Sequence, residues 1–394
     1  MAKQFTLYIS HLDAHADGSA KLDMPAGPYG LRDALDKVRL SKSEGILLEM
    51  DSCRCPDLME WFNGRESGHD TVQDIYRLNV LAEQMEKLEI WQMPILGGAL
   101  RMEAKEKPEL PLPRLCDLAE GIDSYNFVGF TDDKELGKFY VENGFLPELE
   151  KVPDSVIEKL DFEKIGREMR EAEGGTFVEH GYVVLSEDIP EKHKELDPAP
   201  PEPDYTVLLS VGYPDWGDDE MVKLPTSVEE LNAVVDRFQA RGWRDLTWRC
   251  ADCKIPALAD MISMCESIME INMAAEVLNE LSGLDLLTSK AMIAAMQPQD
   301  LADTMALIET RYEYALLQDI SSPYDVGLSR LRSALPQEEL ELLLPHVNLY
   351  GYGESAMKRY PLAMTEYGGL DRFDGEPVLK QENDTPERGE MEMM

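Results

Sequence analysis

Apolar, charged and special residues over positions 31–62 recur in the same order over positions 231–262. Five matched positions are identical: Leu31, Asp36, Cys53, Pro56 and Leu58 return as Leu231, Asp236, Cys253, Pro256 and Leu258. The match extends in both directions, to residues 5–10 and 205–210 upstream and to residues 75–83 and 268–276 downstream. Self-similarity at a long period is the signature of an internal repeat. The sequence therefore predicts two tandem copies of one unit.

Each copy predicts a strand, an amphipathic helix and a second strand, in that order. The β-branched and aromatic segments at 5–10 and 205–210 are typical of strands. An apolar stripe at helical spacing follows in both copies, as Leu31, Ala34, Leu35 and Val38 and as Leu231, Val234, Val235 and Phe238. Ser227 has the chemistry of an N-cap for the second of these helices. Second strands are expected at about 45–50 and 245–250.

Helices dominate the middle of each copy. Pro56 and Pro256 stand where helices would begin, because proline is tolerated in the first helical turn. The next helix, at about 72–88, and its counterpart in the second copy carry Asn79 and Asn272 beside their apolar stripes. A buried amide needs a specific partner, so we expect a structural hydrogen bond at each asparagine.

Further helices are predicted later in each copy. In the first copy they lie at 91–103, at 113–121, at 132–143 with Thr131 as the cap, and at 154–172. The last one mixes acids and bases, the pattern of a solvated face with local ion pairs. Gly174 and Gly175 should end it before a strand at 176–185. In the second copy, Ser322-Pro323 with Asp325 predicts the matching helix start.

These patterns predict an elongated α+β protein made of two tandem copies of a related α+β unit, each with short strands and several amphipathic helices. We place the first repeat at 1–185 and the second at 205–372. Between them, residues 186–204 alternate acids with prolines, which stiffen and extend a linker. Residues 373–394 are acidic and poor in apolar residues, and we expect a disordered tail there.

Composition is consistent with a folded protein. An apolar fraction of 43% in 394 residues leaves room for two or three domains with their own cores. No apolar run is long enough to span a membrane, and the first residues lack a signal-peptide profile. Six cysteines without regular spacing indicate a reducing compartment. We therefore expect a cytoplasmic protein.

Net charge changes the picture most. The chain has 77 acids and 38 bases, for a net charge of -39. Residues 1–204 carry -20 and residues 205–394 carry -19, so the charge is spread over both copies. Such a surface repels nucleic acid and membranes and is steered towards a basic cleft on a partner. Solubility alone is the alternative explanation.

The common catalytic motifs are missing, including the P-loop, the dinucleotide fingerprint, HExxH and GxSxG. The segment 11–17 contains His11, Asp13 and His15, but no histidine stands nearby in the second copy, so we interpret it as a surface loop. Cys250 and Cys253 form a lone CxxC, which lacks two further zinc ligands. We predict a protein that is not an enzyme and binds no cofactor and no metal.

The charge itself suggests a function. B-DNA presents one negative charge per roughly 1.7 Å of axis, and DNA-binding proteins neutralise these charges with lysine and arginine. A folded array of carboxylates can occupy the same basic groove, with an affinity that falls as salt rises. In such an array no single acid is essential.

Four segments carry a family resemblance: the opening strand 5–10, the helix around 31–38, the helix segment Leu78-Asn79-Val80-Leu81-Ala82-Glu83 and the segment 161–166. Together with the acidity, they make the chain resemble the antirestriction protein ArdA family and its relatives on mobile elements of gut Firmicutes. The resemblance implies an elongated α+β DNA mimic, often dimeric, that occupies the DNA groove of a type I restriction–modification enzyme. It implies no catalytic residue, because the family is not enzymatic. The chain is longer than the usual member, and its residues 10–24 match the family's opening poorly.

We predict that acids in base-poor stretches contact the target. They are Asp132, Asp133, Glu135, Glu142, Glu148 and Glu150 in the first copy, and Asp215, Asp218, Asp219, Glu220, Glu338, Glu339 and Glu341 in the second. The partner would be a DNA-binding enzyme with a basic groove, with neither nucleic acid nor membrane bound, and a homodimer is compatible with this function. The alternatives are an acidic scaffold for a basic protein and an inhibitor of another DNA-targeting defence nuclease.

Overall fold

A computed structural model describes residues 2–12, 18–39, 45–65, 70–107, 109–149, 152–194, 199–200, 202–214, 219–359 and 362–378. Within these residues the chain combines helices with four three-stranded sheets, which confirms the predicted α+β class. The chain divides into two compact units. The first comprises residues 1–12, 21–26 and 45–201, and the second comprises residues 13–20, 27–44 and 202–394.

The first half of the chain begins and ends with a small sheet, and helices lie between the two. In chain order the elements are β1 (Phe5–His11), β2 (Ser19–Met24), α1 (Pro28–Val38), β3 (Ile46–Cys53), α2 (Pro56–Gly64), α3 (Val72–Glu86), α4 (Met93–Glu106), α5 (Leu112–Glu120), β4 (Tyr125–Val128), α6 (Asp133–Glu142), α7 (Asp154–Ile157), α8 (Phe162–Glu173), β5 (Thr176–Val178) and β6 (Gly181–Leu185). The strand orders are β2-β1-β3 and β4-β6-β5.

The second half follows the same order of elements. They are β7 (Val207–Gly212), β8 (Glu220–Leu224), α9 (Val228–Arg237), β9 (Thr247–Cys253), α10 (Ala259–Met264), α11 (Ile268–Glu280), α12 (Gly283–Met296), α13 (Leu301–Glu309), β10 (Tyr314–Leu317), α14 (Pro323–Ala334), α15 (Gln337–Leu343), α16 (Leu349–Met357), β11 (Ala363–Thr365) and β12 (Gly368–Arg372). The strand orders β8-β7-β9 and β10-β12-β11 repeat those of the first half. This order is compatible with the predicted duplication, which stays a prediction.

The strand pairing corrects one part of the sequence match. Phe5 pairs with Cys53, and Val207 pairs with Cys253. The counterpart of Phe5 is therefore Val207 and not Tyr205, a shift of two residues from the match made by sequence. Side chains alternate between the two faces of a strand, so a shift of two leaves the apolar face unchanged. The sequence pattern could not distinguish the two registers.

The two asparagines have the structural role that the sequence predicted. Asn79 Oδ1 accepts a hydrogen bond from Ala26 N at 2.8 Å, and Asn272 Oδ1 accepts one from Thr226 N at 2.8 Å. Asn272 Nδ2 also donates to the Thr226 carbonyl oxygen at 3.1 Å. Both side chains are buried, and each fixes the loop that enters the following helix. The expected structural hydrogen bonds are confirmed.

Helix pairs with glycines at their crossing occur in both halves. A Cβ added to Gly166 on α8 would lie 1.7 Å from the Asp133 carbonyl oxygen on α6. A Cβ added to Gly353 on α16 would lie 1.6 Å from the Pro323 carbonyl oxygen on α14. No side chain fits at either position, so the backbones meet directly. These contacts fix how the two helices of each pair cross.

Three local predictions need correction. The helix expected at 154–172 is two helices, α7 and α8, because Asp161 accepts a hydrogen bond from Lys164 N and caps α8. The strand expected at 176–185 is the hairpin β5–β6, whose turn holds His180 at a φ of 67°. The cap of α6 is Asp132 and not Thr131. At the matching position in the second half, Ser322 and Asp325 form the predicted capping box, which is confirmed.

The start of the predicted linker packs against the first unit. Asp117 on α5 is buried and accepts hydrogen bonds from the backbone nitrogens of Lys192 and His193, both at 3.0 Å. Arg114 Nη1 donates to the Ile189 carbonyl oxygen at 3.0 Å. Residues 186–194 are therefore held by specific contacts and do not form a free spacer.

Helix α1 belongs to the second unit, although it lies early in the chain. Its N-terminus meets Asp252 on β9, and its polar face meets Lys290 on α12. The larger core of this unit forms beneath the sheet β8-β7-β9, from residues such as Val207, Leu209, Leu231 and Ile271. Among the described residues, no helix is long and apolar enough to cross a membrane.

Candidate functional site

The predicted acids of α6 serve first as helix caps. Asp132 accepts a hydrogen bond from Glu135 N at 2.8 Å, and Glu135 accepts from Thr131 N at 2.9 Å. Both side chains are exposed. Negative charge at a helix N-terminus is stabilised by the unpaired N–H groups there. These carboxylates are therefore fixed in place and still face solvent.

Three of the predicted acids form ion pairs. Asp133 accepts two hydrogen bonds from Arg170, at 2.8 and 3.1 Å, and is only partly exposed. Glu220 is bound by the guanidinium of Arg237. Glu142 lies 3.5 Å from Lys138. The sequence criterion counted bases near each acid along the chain, and it missed Arg170 and Arg237 because the fold brings them in from other elements.

The remaining described acids of the prediction are exposed. Glu148 precedes α7, and Asp219 accepts a hydrogen bond from Ser210 Oγ at 2.6 Å. Short helix α15 presents Glu338, Glu339 and Glu341 to solvent. Glu150, Asp215 and Asp218 lie outside the described residues, as do most of the 11–17 loop and the tail beyond residue 378.

Helix α11 has an acidic surface without bases, and the sequence prediction missed it. We call it the α11 face: Met269, Glu270, Met273, Glu276 and Glu280 on the helix, together with Glu266 just before its N-cap, all exposed. Residues three and four positions apart are neighbours on a helix surface, so these side chains form one surface. The opposite side of α11 is buried in the core of the second unit through residues such as Ile271 and Leu278.

A sequence signal for this surface was present. Residues 255–289 contain no lysine or arginine, whereas they contain six acids. The four glutamates of the α11 face recur at spacings of four, six and four residues. On the matching helix α3, Arg77 pairs with Asp74 at 2.9 Å, so that surface is partly neutralised.

The α11 face can be compared with a DNA strand. Glu270 and Glu280 are ten residues apart within α11, or about 15 Å along a helix. One strand of duplex of that length carries about four phosphates. The three helical carboxylates, Glu270, Glu276 and Glu280, approach this density without reaching it. A mimic would therefore need further acids, such as those of α15, to act together with α11.

The cysteines are buried or partly buried, as structural residues are. Burial raises the pKa of Cys53 to about 11 and the pKa of Cys55 to about 12. Burial also raises the pKa of Cys116 to about 12. Thiols of this kind are poor nucleophiles and poor metal ligands at neutral pH. Among the described residues, no group of three or more histidine, cysteine or acidic side chains is placed to hold a metal ion.

No protein-family model matches this chain, and no curated protein is significantly similar to it.

Proposed function

We propose that this protein is a non-enzymatic, cytoplasmic inhibitor that presents carboxylates in place of DNA phosphates to a basic DNA-binding groove. The α11 face carries the proposal, because it presents four exposed carboxylates on a surface with no basic residue of its own. The net charge of -39 supports it, since a charge of that size repels nucleic acid and attracts a cationic groove. The resemblance to the ArdA family suggests a type I restriction–modification enzyme as the target.

The ion pairs of the structure sharpen the choice of contact residues. Asp133 and Glu220 are bound by arginines and offer little net charge to a partner. The α11 face and Glu338, Glu339 and Glu341 on α15 remain unneutralised by ion pairs among the described residues. We therefore place the contact surface on the second unit first.

Competition with DNA tests this function. Purified protein should displace a DNA duplex from a type I methyltransferase, and displacement should weaken steeply as salt rises, because counterion release contributes to the affinity. The variant with Glu266, Glu270, Glu276 and Glu280 all changed to glutamine should inhibit about tenfold less, or more weakly still, since it loses four charges from one surface.

A matched control separates position from net charge. Changing Glu158, Glu163, Glu168 and Glu171 to glutamine removes four exposed acids from the mixed-charge α7–α8 region. This variant should inhibit almost as well as the unaltered protein. Equal loss in both variants would mean that bulk charge alone acts. Failure of the unaltered protein to displace DNA at low salt would rule out the mimic for this enzyme.

A second candidate is an acidic scaffold that binds a basic protein without imitating DNA. The specific observation is that Met269 and Met273 are 43% and 63% exposed beside the glutamates of the α11 face. Methionine is adaptable and common at surfaces that bind amphipathic helices. If Met269→Gln and Met273→Gln together weaken partner binding more than the glutamate changes do, with little salt dependence, the scaffold is favoured.

A further inference from the structure

The second unit contains a cleft whose volume is about 790 Å³, within the range of small-molecule sites. One wall is a face of α1, with Arg32 and Leu35. The opposite wall is α12, with Leu286, Leu287 and Lys290. Lys254, which follows β9, lies in the same lining. The cleft thus combines aliphatic walls with three cationic side chains and three acids, Asp36, Glu202 and Asp204. Each of these acids is paired with a base within the fold.

The cations in this cleft stand out against the surrounding sequence. Residues 250–310 contain ten acids and only two bases, Lys254 and Lys290. Both of these bases line the cleft. The only two positive charges of this acidic segment therefore lie together in the cleft.

The three cations differ in how they are already paired. Lys290 is 2% exposed and lies 2.7 Å from Asp33 and 2.8 Å from Asp36, so its charge is satisfied within the fold. Arg32 pairs with Glu202, whose side chain is 86% exposed. An exposed pair of this kind contributes little and can be exchanged for another anion.

Lys254 has no carboxylate within 4 Å among the described residues. Its Nζ donates one hydrogen bond, to the Asn279 carbonyl oxygen at 3.0 Å, and an ammonium has three donors. Asn279 Oδ1 accepts from Thr206 Oγ1 at 3.1 Å, which leaves the Asn279 amide nitrogen as a further donor at the cleft. The cleft therefore offers hydrogen-bond donors and positive charge that the protein does not use itself.

We propose that this cleft binds a small organic anion, with its carboxylate or phosphate group held by Lys254 and Arg32 and its apolar body packed against Leu286 and Leu287. Burial lowers the pKa of Lys254. A bound anion would favour the charged ammonium and would therefore raise that pKa again. Asn279 in the cleft lining lies on α11, but no residue of the α11 face lines the cleft, so this inference does not depend on the function proposed above.

Calorimetric titration of the full chain tests the site. The probes are phenyl phosphate, phenylacetate, inorganic phosphate and benzyl alcohol. At least one of the two anionic aromatic probes should bind saturably, and about tenfold more tightly than inorganic phosphate or benzyl alcohol, since only these two combine charge with an apolar body. Whichever of the two binds more tightly identifies the preferred anionic group.

Matched variants assign the binding to this cleft. Lys254→Met should weaken the probe about tenfold, in line with the loss of one charge-assisted hydrogen bond, and Lys254→Arg should retain binding. Arg54 is the control, because its backbone nitrogen donates to the Gln4 carbonyl oxygen as that of Lys254 donates to Thr206. Arg54→Met should bind like the unaltered protein. The proposal is overturned if no anionic aromatic probe binds, or if Lys254→Met and Arg54→Met behave alike.

Discussion

Helices α1 and α9 occupy matching places in the two halves of the chain and share an apolar stripe, yet they are stabilised in different ways. Leu31 and Ala34 on α1 are buried, as are Leu231 and Val234 on α9. The polar side of α1 is also enclosed, since Asp33 is 5% exposed. The polar side of α9 faces solvent through exposed residues such as Glu229 and Asn232.

The N-termini show the first difference. On α9, Ser227 is the N-cap and its Oγ accepts a hydrogen bond from Glu230 N. On α1, the N-cap Gly27 makes no side-chain hydrogen bond. Asp252 on β9 supplies the missing acceptor, because its Oδ2 accepts a hydrogen bond from Tyr29 N at 3.2 Å. A Cβ on Gly27 would lie 2.4 Å from Asp252 Cγ, so the close approach requires glycine.

The polar side of α1 joins a buried charge network. Asp33 accepts from Lys290 at 2.7 Å and from the Tyr367 hydroxyl at 2.9 Å. Lys37 lies 3.3 Å from Asp33 and 2.9 Å from Glu366. On α9 the position of Asp33 is an alanine, Ala233. One helix is therefore positioned by distant polar residues, and the other by its own cap and apolar stripe.

The first prediction removes the central cation of the network. Lys290→Met removes the positive charge that pairs with both Asp33 and Asp36. Removing one partner of a buried ion pair costs about 3–5 kcal/mol, because the other charge stays buried without its partner. We expect the free energy of unfolding in urea to fall by that amount. The variant that also carries Asp33→Leu should recover much of the loss, because both buried charges are then gone. If Lys290→Met costs no more than a surface change, α1 does not depend on this network.

The second prediction compares the two caps. Asp252→Ala should cost about 2–3 kcal/mol, since it removes a charged acceptor from Tyr29 N and from the Tyr205 hydroxyl, at 2.9 Å. Ser227→Ala should cost about 1 kcal/mol, the usual value for an N-cap. Both are measured by chemical unfolding of the full chain. Equal costs would contradict the view that the cap of α1 is supplied by tertiary structure.

The contrast between locally stabilised α9 and α1, which depends on distant residues, also explains which parts of the fold the sequence predicts. Local signals predicted α9, the Ser322 cap and the roles of Asn79 and Asn272, because each depends on residues close in the chain or on a repeated pattern. The network at Asp33 could not be predicted, since Lys290 and Tyr367 are hundreds of residues away. The register of β7 was missed because a shift of two preserves the apolar face.

The candidate site also has features that local sequence predicts and features that depend on tertiary packing. The acidity of the chain and the exposure of α15 follow from composition and local pattern. The neutralisation of Asp133 by Arg170 depends on how α6 packs against α8, which the sequence does not reveal. The α11 face was detectable from the absence of bases over 255–289, but it was missed because α11 also carries a strong apolar stripe that indicates core packing.

The third prediction concerns alkaline pH. Burial raises the pKa of Tyr367 above its ordinary value of 10.0, and the nearby carboxylates of Asp33, Glu366 and Asp36 raise it further. The phenol therefore stays protonated in the folded protein after it ionises in the unfolded chain. Its stabilisation is complete below pH 10 and is lost as the pH rises above that value.

Tyr367→Phe tests whether ionisation of Tyr367 lowers the stability as the pH rises. The variant should lose about 1.5–3 kcal/mol at neutral pH, the value of a hydrogen bond to a charged group. Above pH 10 its stability should fall less steeply than that of the unaltered protein, because phenylalanine does not ionise. Some alkaline loss should remain, since the pKa of Lys37 is also raised, through Asp33 and Glu366, although burial alone would lower it. Parallel pH profiles for the two proteins would exclude Tyr367 as the source.

The fourth prediction has the smallest expected effect and concerns the polar side of α9. Arg237 pairs with Glu220, but the arginine side chain is 49% exposed and the glutamate 33%. Exposed pairs contribute little, because solvent screens the attraction and ordering long side chains costs entropy. Arg237→Gln should therefore change the free energy of unfolding less than any of the variants above, and raising the salt concentration should reduce the difference. A loss as large as that of Lys290→Met would mean that α9 depends on its charged side as α1 does, and the contrast between the two helices would then be wrong.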